Sequence, residues 1–258
     1  MWTHIDSAWS EGNRLDLYER NGLHMIRVDG WELMNGEYHA SEDQLGRLAG
    51  LLSNAPHPEI LVGGLGLGYT LASLLETLRL TRARITVAER SSAVLRWFGA
   101  HINPLLAATL SPAVRLVESD VAAHLGVDRR WDVIVLDVDN GPEALSTTGN
   151  AVLYETPGLA DCRDSLALSG HLLLWTGFED SAFVKRAHAV GFSVTRKSIP
   201  LPNRPDQVHV LYVLSREPLS SADRDRVGLE GGPVAPPRST RTPGAKSAHG
   251  RGRIITKE

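Results

Sequence analysis

The sequence predicts an α/β protein: a doubly wound, seven-stranded, mostly parallel sheet, preceded by a small antiparallel β-meander and followed by a basic tail. Short apolar runs alternate with helical patterns from Ile60 to Val190, which is how strands and crossover helices of a parallel sheet read. The run Ile60-Leu61-Val62 ends in Gly63-Gly64-Leu65-Gly66-Leu67-Gly68, and Leu71, Leu74, Leu75 and Leu78 follow at helical spacing. The last two apolar runs, 192–199 and 208–214, are joined by a proline-rich turn starting at Pro200. A connection that short pairs them antiparallel.

With 258 residues, 42% of them hydrophobic, the chain has room for one large core. A net charge of -3 gives no overall attraction to nucleic acid or to an anionic membrane. The single cysteine, Cys162, excludes an internal disulfide and a cysteine-cluster metal site, and no His/Cys/Asp group has metal-ligand spacing. No metal is therefore expected. The N-terminus lacks a basic segment leading into an apolar one, and no apolar run approaches the length of a membrane span. The expectation is a cytoplasmic protein, with no membrane partner and nucleic acid disfavoured; a homodimer is allowed.

Asn21-Gly22, Asp29-Gly30 and Asn35-Gly36 are hairpin-turn dipeptides. They separate strands over 15–20, 23–28 and 31–34, so residues 1–40 form the meander. Ser41-Glu42-Asp43-Gln44 has capping-box spacing ahead of Leu45, Leu48, Leu51 and Leu52, and predicts a helix ending before Pro56. Parallel strands follow over 60–63, 85–89, 114–118 and 132–137. Thr156-Pro157 opens a helix running to a stop at Gly170, and a fifth strand covers 172–176. A helix over 180–190 stops at Gly191. The α/β domain thus spans 41–216. Residues 217–258 lose all periodicity and end in a stretch rich in Arg, Lys, Pro, Gly and Ser, which predicts a disordered or extended tail.

Ligands of open α/β sheets bind outside the carboxyl ends of the strands. The glycines Gly64, Gly66 and Gly68 let the backbone approach a nucleotide-like cofactor at a helix N-terminus. Glu89 closes the second strand, 21 residues beyond Gly68, where a carboxylate accepts from ribose hydroxyls. Asp120 follows the third strand and suits an adenine amino group. Asp137 and Asp139 close the fourth, beside Asn140-Gly141-Pro142. These last carboxylates would repel a dinucleotide pyrophosphate and favour the cationic end of S-adenosylmethionine. Tyr38-His39 is placed to close over the site, and His39 is the one candidate base there. Trp31 and Trp175 are candidates for the wall of an acceptor pocket.

These segments resemble the spermidine synthase family within the class I S-adenosylmethionine-dependent methyltransferase superfamily, from about Leu15 to Leu214. Val28-Asp29-Gly30 is similar to the hairpin ahead of that family's catalytic domain, 60–68 to its cofactor loop, Val87-Ala88-Glu89 to its ribose-binding strand end and Glu118-Ser119-Asp120 to its adenine-side acid. Residues 132–137 with Gly141-Pro142 and Leu153-Tyr154 resemble its catalytic strand. The resemblance implies a Rossmann-like transferase in which Asp137 takes a proton from the nucleophile or fixes its orientation. Asp139 matches the family's second acid loosely. The family's aminopropyl-amine aspartate is replaced by Gly66, and its hairpin glutamine by Trp31-Glu32-Leu33. These departures point to a methyltransferase acting on a small molecule or peptide with intact S-adenosylmethionine. The alternatives are a polyamine aminopropyltransferase using the decarboxylated donor, and a non-catalytic nucleotide-binding module.

Overall fold

The protein is described from a computed structural model, covering residues 1–78, 82–110, 112–126, 130–138, 151–202, 204–229 and 232–234. Four antiparallel strands come first: β1 (Thr3–Ser10), β2 (Asn13–Arg20), β3 (Leu23–Val28) and β4 (Trp31–Asn35). They pair in chain order. The meander therefore has one strand more than the turn dipeptides indicate. The extra turn, Glu11-Gly12, has both residues left-handed (φ 53° and 84°), as a two-residue hairpin with right-handed strand twist requires. Strand β1 is held by its register with β2 and by Trp97 Nε1 donating to Asp6 Oδ2 at 2.7 Å. That bond fastens the small sheet to the larger domain and holds the Asp6 carboxyl below the usual carboxylate range.

Helix α1 (Ala40–Leu52) then leads into β5 (Glu59–Gly63), α2 (Tyr69–Thr77), β6 (Arg84–Glu89), α3 (Ser92–Trp97), α4 (Pro104–Thr109), β7 (Val114–Glu118) and β8 (Trp131–Leu136). After these come α5 (Ala151–Tyr154), α6 (Thr156–Ser165), β9 (Leu166–Thr176), α7 (Ser181–Val190), β10 (Ser193–Leu201), β11 (Arg204–Ser215) and α8 (Ser221–Val227). The large sheet has the order β10-β11-β9-β8-β5-β6-β7, with only β11 antiparallel to its neighbours. Strand order reverses between β5 and β8, which makes their carboxyl ends the switch point where such sheets bind ligands. The expected seven-stranded doubly wound sheet is therefore present.

Leu45, Leu48, Leu71, Leu74 and Trp97 cover one face of the sheet, and Leu159, Phe183, Tyr154 and Leu166 cover the other. Helix α1 approaches α2 closely because residues 46 and 50 are glycines. A Cβ at Gly46 would meet the Thr70 carbonyl, and one at Gly50 would stand 2.6 Å from Thr77 Cβ. The α1 contact thus presses on the helix that carries the glycine loop at its start.

Three local expectations are corrected. The capping box does not form: α1 begins at Ala40 with His39 at its N-cap, and Ser41, inside the first turn, spends its hydroxyl on Glu42 Oε2 at 2.6 Å. The sixth helix ends at Ser165 rather than at Gly170, because Leu166 already pairs with Trp131 and the chain runs extended to Thr176. The tail boundary at 216 also moves. Leu219, Val227 and Leu229 are buried in the core beneath α8, and Val234 N donates to Val194 O at 2.7 Å. Removing residues 217–234 would uncover that surface. The basic residues from Arg238 onward lie outside the described residues.

His171 in β9 is buried, and desolvation pushes its pKa down to about 4 against the pull of Asp223. A folded-state pKa below the unfolded 6.5 means that the unfolded chain binds the extra proton, so stability is complete above pH 6.5 and falls as pH drops toward 4. The loss amounts to about 3 kcal/mol. Urea unfolding at stepped pH should show His171→Gln losing less stability than the wild type across this window; parallel decline of the two would assign the acid sensitivity to other groups.

Candidate functional site

The switch point opens into a cleft of about 120 Å³ that widens to solvent at its mouth. Gly64, Gly66, Glu89 and Asp137 line it from the large sheet, and Leu33 and Met34 from the small one. The loop between β5 and α2 is left-handed at Gly64, Gly66 and Gly68 (φ 88°, 50° and 82°). No side chain fits there. A Cβ at Gly64 would collide with the carbonyl of Asp137, one at Gly66 would lie 2.8 Å from Met34 Sδ, and one at Gly68 would strike the Phe98 ring. The bare backbone is thus offered to the cleft.

Glu89 is fixed from two sides. Leu65 N donates to its Oε2 at 2.9 Å and Ser91 N to its Oε1 at 2.8 Å. One carboxylate therefore ties the glycine loop to the strand beside it and still lines the cleft, where its remaining acceptor capacity suits vicinal hydroxyls. Asp137 N donates to Gly63 O at 2.9 Å, and Thr70 Oγ1 donates to Asp137 Oδ2 at 2.6 Å. The backbone and the first turn of α2 together set the plane of the Asp137 carboxylate.

The remaining expected residues fall differently. Asp120 follows β7, two residues beyond its end at Glu118, but its Oδ1 caps the turn Val121–His124 by accepting from Ala122 N at 2.8 Å, and its Oδ2 lies 3.8 Å from Arg90 Nη1. Asp139, with Asn140-Gly141-Pro142, lies outside the described residues. His39 is not in this cleft. It stacks on Tyr69 with ring centroids 3.9 Å apart, bonds Asp43 Oδ2 at 2.8 Å, and borders a separate hollow. Trp31 points away, 78% exposed, because the Asp29-Gly30 turn places it at an outer edge. Trp175 packs edge-on against His209 at 4.7 Å, behind that same hollow.

Met34 and Arg90 were not legible as site residues. Arg90 follows Glu89 and forms an ion pair with Glu11 at the tip of the first hairpin, so that hairpin forms part of the cleft wall. No strand-helix alternation announces such a contact between residues 11 and 90.

Among solved structures, the spermidine synthase of Thermotoga maritima is similar over 85% of this chain and 75% of its own, with TM-score 0.67 and 19% identity. A spermidine synthase in complex with the transition state analogue AdoDATO gives TM-score 0.65 at 18% identity, over 85% of this chain and 74% of that one. Human methyltransferase-like protein 13 in complex with SAH gives 0.53 at 17% identity, over 82% and 95%. The sequence matches no protein-family model and no curated protein. The likeness shows the fold: a Rossmann-like doubly wound sheet of the kind found in these transferases, here preceded by the four-stranded antiparallel meander. Among the described residues no helix is long and apolar enough to cross a membrane, and no cluster of three His, Cys, Asp or Glu could hold a metal.

Proposed function

We propose that this chain is an S-adenosylmethionine-dependent methyltransferase acting on a small molecule or peptide. The observation that carries the reading is the filling of the space at Gly66. The resemblance assigns that position to an aspartate gripping an aminopropyl amine; here it is a glycine at φ 50° with the Met34 thioether against it. The donor tail would meet an apolar sulfur side chain where an aminopropyltransferase would offer a carboxylate. Aminopropyl transfer remains the second reading, favoured by the higher likeness to spermidine synthases than to the methyltransferase.

The cleft suits an adenosyl donor, with Glu89 for the ribose and the bare loop 64–68 for close backbone approach. When bound, S-adenosylmethionine supplies an electrophilic methyl carbon on a cationic sulfur. Asp137 complements that charge, orients the nucleophile and receives its proton, while Thr70 keeps the carboxylate in place. The adjoining small sheet limits water access to the cleft through Leu33 and Met34.

Calorimetry tests the donor assignment. Wild-type protein should bind S-adenosylhomocysteine with micromolar affinity, and Glu89→Ala should weaken it by about 1 to 3 kcal/mol, because charge-assisted hydrogen bonds are lost together with the tie to Leu65. Glu89→Gln, which keeps an acceptor, should lose less. Unchanged affinity in the alanine variant would refute the ribose role. Tighter binding of decarboxylated than of intact S-adenosylmethionine would move the assignment to aminopropyl transfer.

A further inference from the structure

Beside the donor cleft, at the same carboxyl edge of the sheet, two adjoining hollows share Leu201 and His209. Ile199, Pro200, Pro202 and Phe178 give them an apolar lining. Thr70 joins this region to the donor side, since its hydroxyl lies 2.6 Å from Asp137 Oδ2 and 3.3 Å from the Glu42 carbonyl. The carboxylates that line the hollows already have cationic or imidazole partners. Glu37 pairs with Arg20, Asp43 with His39 at 2.8 Å, and Glu179 with Arg196. Glu42 stands behind Ser41.

His209 is the polar group at the meeting of the two hollows. Its Nδ1 lies 2.8 Å from Ser41 Oγ, whose own hydrogen goes to Glu42 Oε2 at 2.6 Å. An ionised carboxylate only accepts, and a hydroxyl has one hydrogen to give. Burial raises the Glu42 pKa, so the tautomer is set by pH: where Glu42 is ionised, the Ser41 oxygen accepts from His209 Nδ1–H, which leaves Nε2 as a bare acceptor. No described residue hydrogen-bonds Nε2, and Trp175 holds the ring edge-on. Burial lowers the His209 pKa, which keeps the ring neutral near pH 7.

We propose that these hollows are the acceptor site, taking a neutral molecule with an apolar body whose hydroxyl donates to His209 Nε2, and not a polyamine. This deepens the methyltransferase reading and rests on it for the word acceptor. His209 is here a specificity-determining residue: it binds a hydroxyl other than the group that is methylated, and the proton of the methylated group leaves through Asp137. A diammonium would compete with Arg20 for Glu37 and with Arg196 for Glu179, and would meet Asp43 already hydrogen-bonded to His39.

The test uses the full chain, 15N-labelled, at about pH 8, above the ordinary imidazole pKa. Long-range 15N–1H correlation spectra, with His209 assigned through His209→Gln, should show Nδ1–H and an unprotonated Nε2. Ser41→Ala should mix the tautomers. The probes are p-cresol, toluene and 1,4-diaminobutane at equal concentration. p-Cresol should shift Nε2 and bind about 3- to 10-fold tighter than toluene, the difference that one neutral hydrogen bond supplies, and His209→Gln should reduce that ratio. 1,4-Diaminobutane should leave Nε2 unshifted. An Nε2–H tautomer in the wild type, no response to p-cresol, or a larger response to the diamine would overturn the proposal. Calorimetry with S-adenosylhomocysteine on the same sample separates the two levels: donor binding without a p-cresol response sinks the acceptor site alone, and the reverse sinks the donor assignment alone.

Discussion

Gly64→Ala should unfold the protein at a markedly lower temperature and abolish measurable S-adenosylhomocysteine binding. Gly64 sits at φ 88°, and a Cβ there would overlap the main-chain carbonyl of Asp137, which no rotamer change can move. Left-handed strain costs on the order of 1 to 3 kcal/mol and overpacking a comparable amount, so roughly 3 to 5 kcal/mol is expected. For a domain of this size that corresponds to about 10 °C or more in Tm. The site suffers for the same reason. Gly64 N donates to Ala88 O at 2.9 Å, and Asp137 N donates to Gly63 O at 2.9 Å, so the three strand ends that carry Gly64, Glu89 and Asp137 are laced together at this residue. Gly99→Ala is the control, because a Cβ at Gly99 meets nothing within 4 Å. Scanning calorimetry should leave Gly99→Ala close to the wild type. Equal Tm values for the two variants would mean that the β5 and β8 ends can part without cost.

What was legible in the sequence is what local pattern encodes. The β5–α2 unit declares itself by an apolar run, a glycine turn and helical leucines, all within twenty residues. Glu89 and Asp137 follow as the ends of further apolar runs, and the hairpin β10–β11 follows from its short connection. The unread parts are made by contacts across long separations. Strand β1 alternates only weakly, and its order comes from β2 and from Trp97, 91 residues away. His209 acquires its role from Ser41, across 168 residues, and the Ser41 that reads as a cap gives its hydrogen to Glu42 instead. In the tail, Leu219, Val227 and Leu229 are too sparse among charged residues to give a period, yet each finds the surface beside α1. The Gly66 departure was legible as a missing aspartate, but the Met34 side chain that fills the space comes from the other sheet.

Asp137→Asn should lower turnover with the true acceptor by about 10²- to 10⁴-fold, the usual contribution of a positioned proton acceptor. The substitution keeps the side-chain shape and an oxygen to accept the Thr70 hydroxyl, now 2.6 Å from Oδ2, so the end of β8 and the start of α2 should stay joined. On the proposed function, what disappears is the negative charge facing the donor's cationic end and the site for the nucleophile's proton. Donor affinity should change by roughly tenfold or less, because the Glu89 carboxylate and the glycine loop are untouched. A large fall in kcat with a small change in S-adenosylhomocysteine affinity is therefore the expected split. Thr70→Val separates charge from placement: it keeps the Asp137 carboxylate but removes its hydroxyl partner, and should cost less than Asp137→Asn. Unchanged turnover in Asp137→Asn would make Asp137 a structural acid that only pins β8 to α2. Tight donor binding with no acceptor turned over by the wild type would favour a non-catalytic nucleotide-binding module built on the same fold.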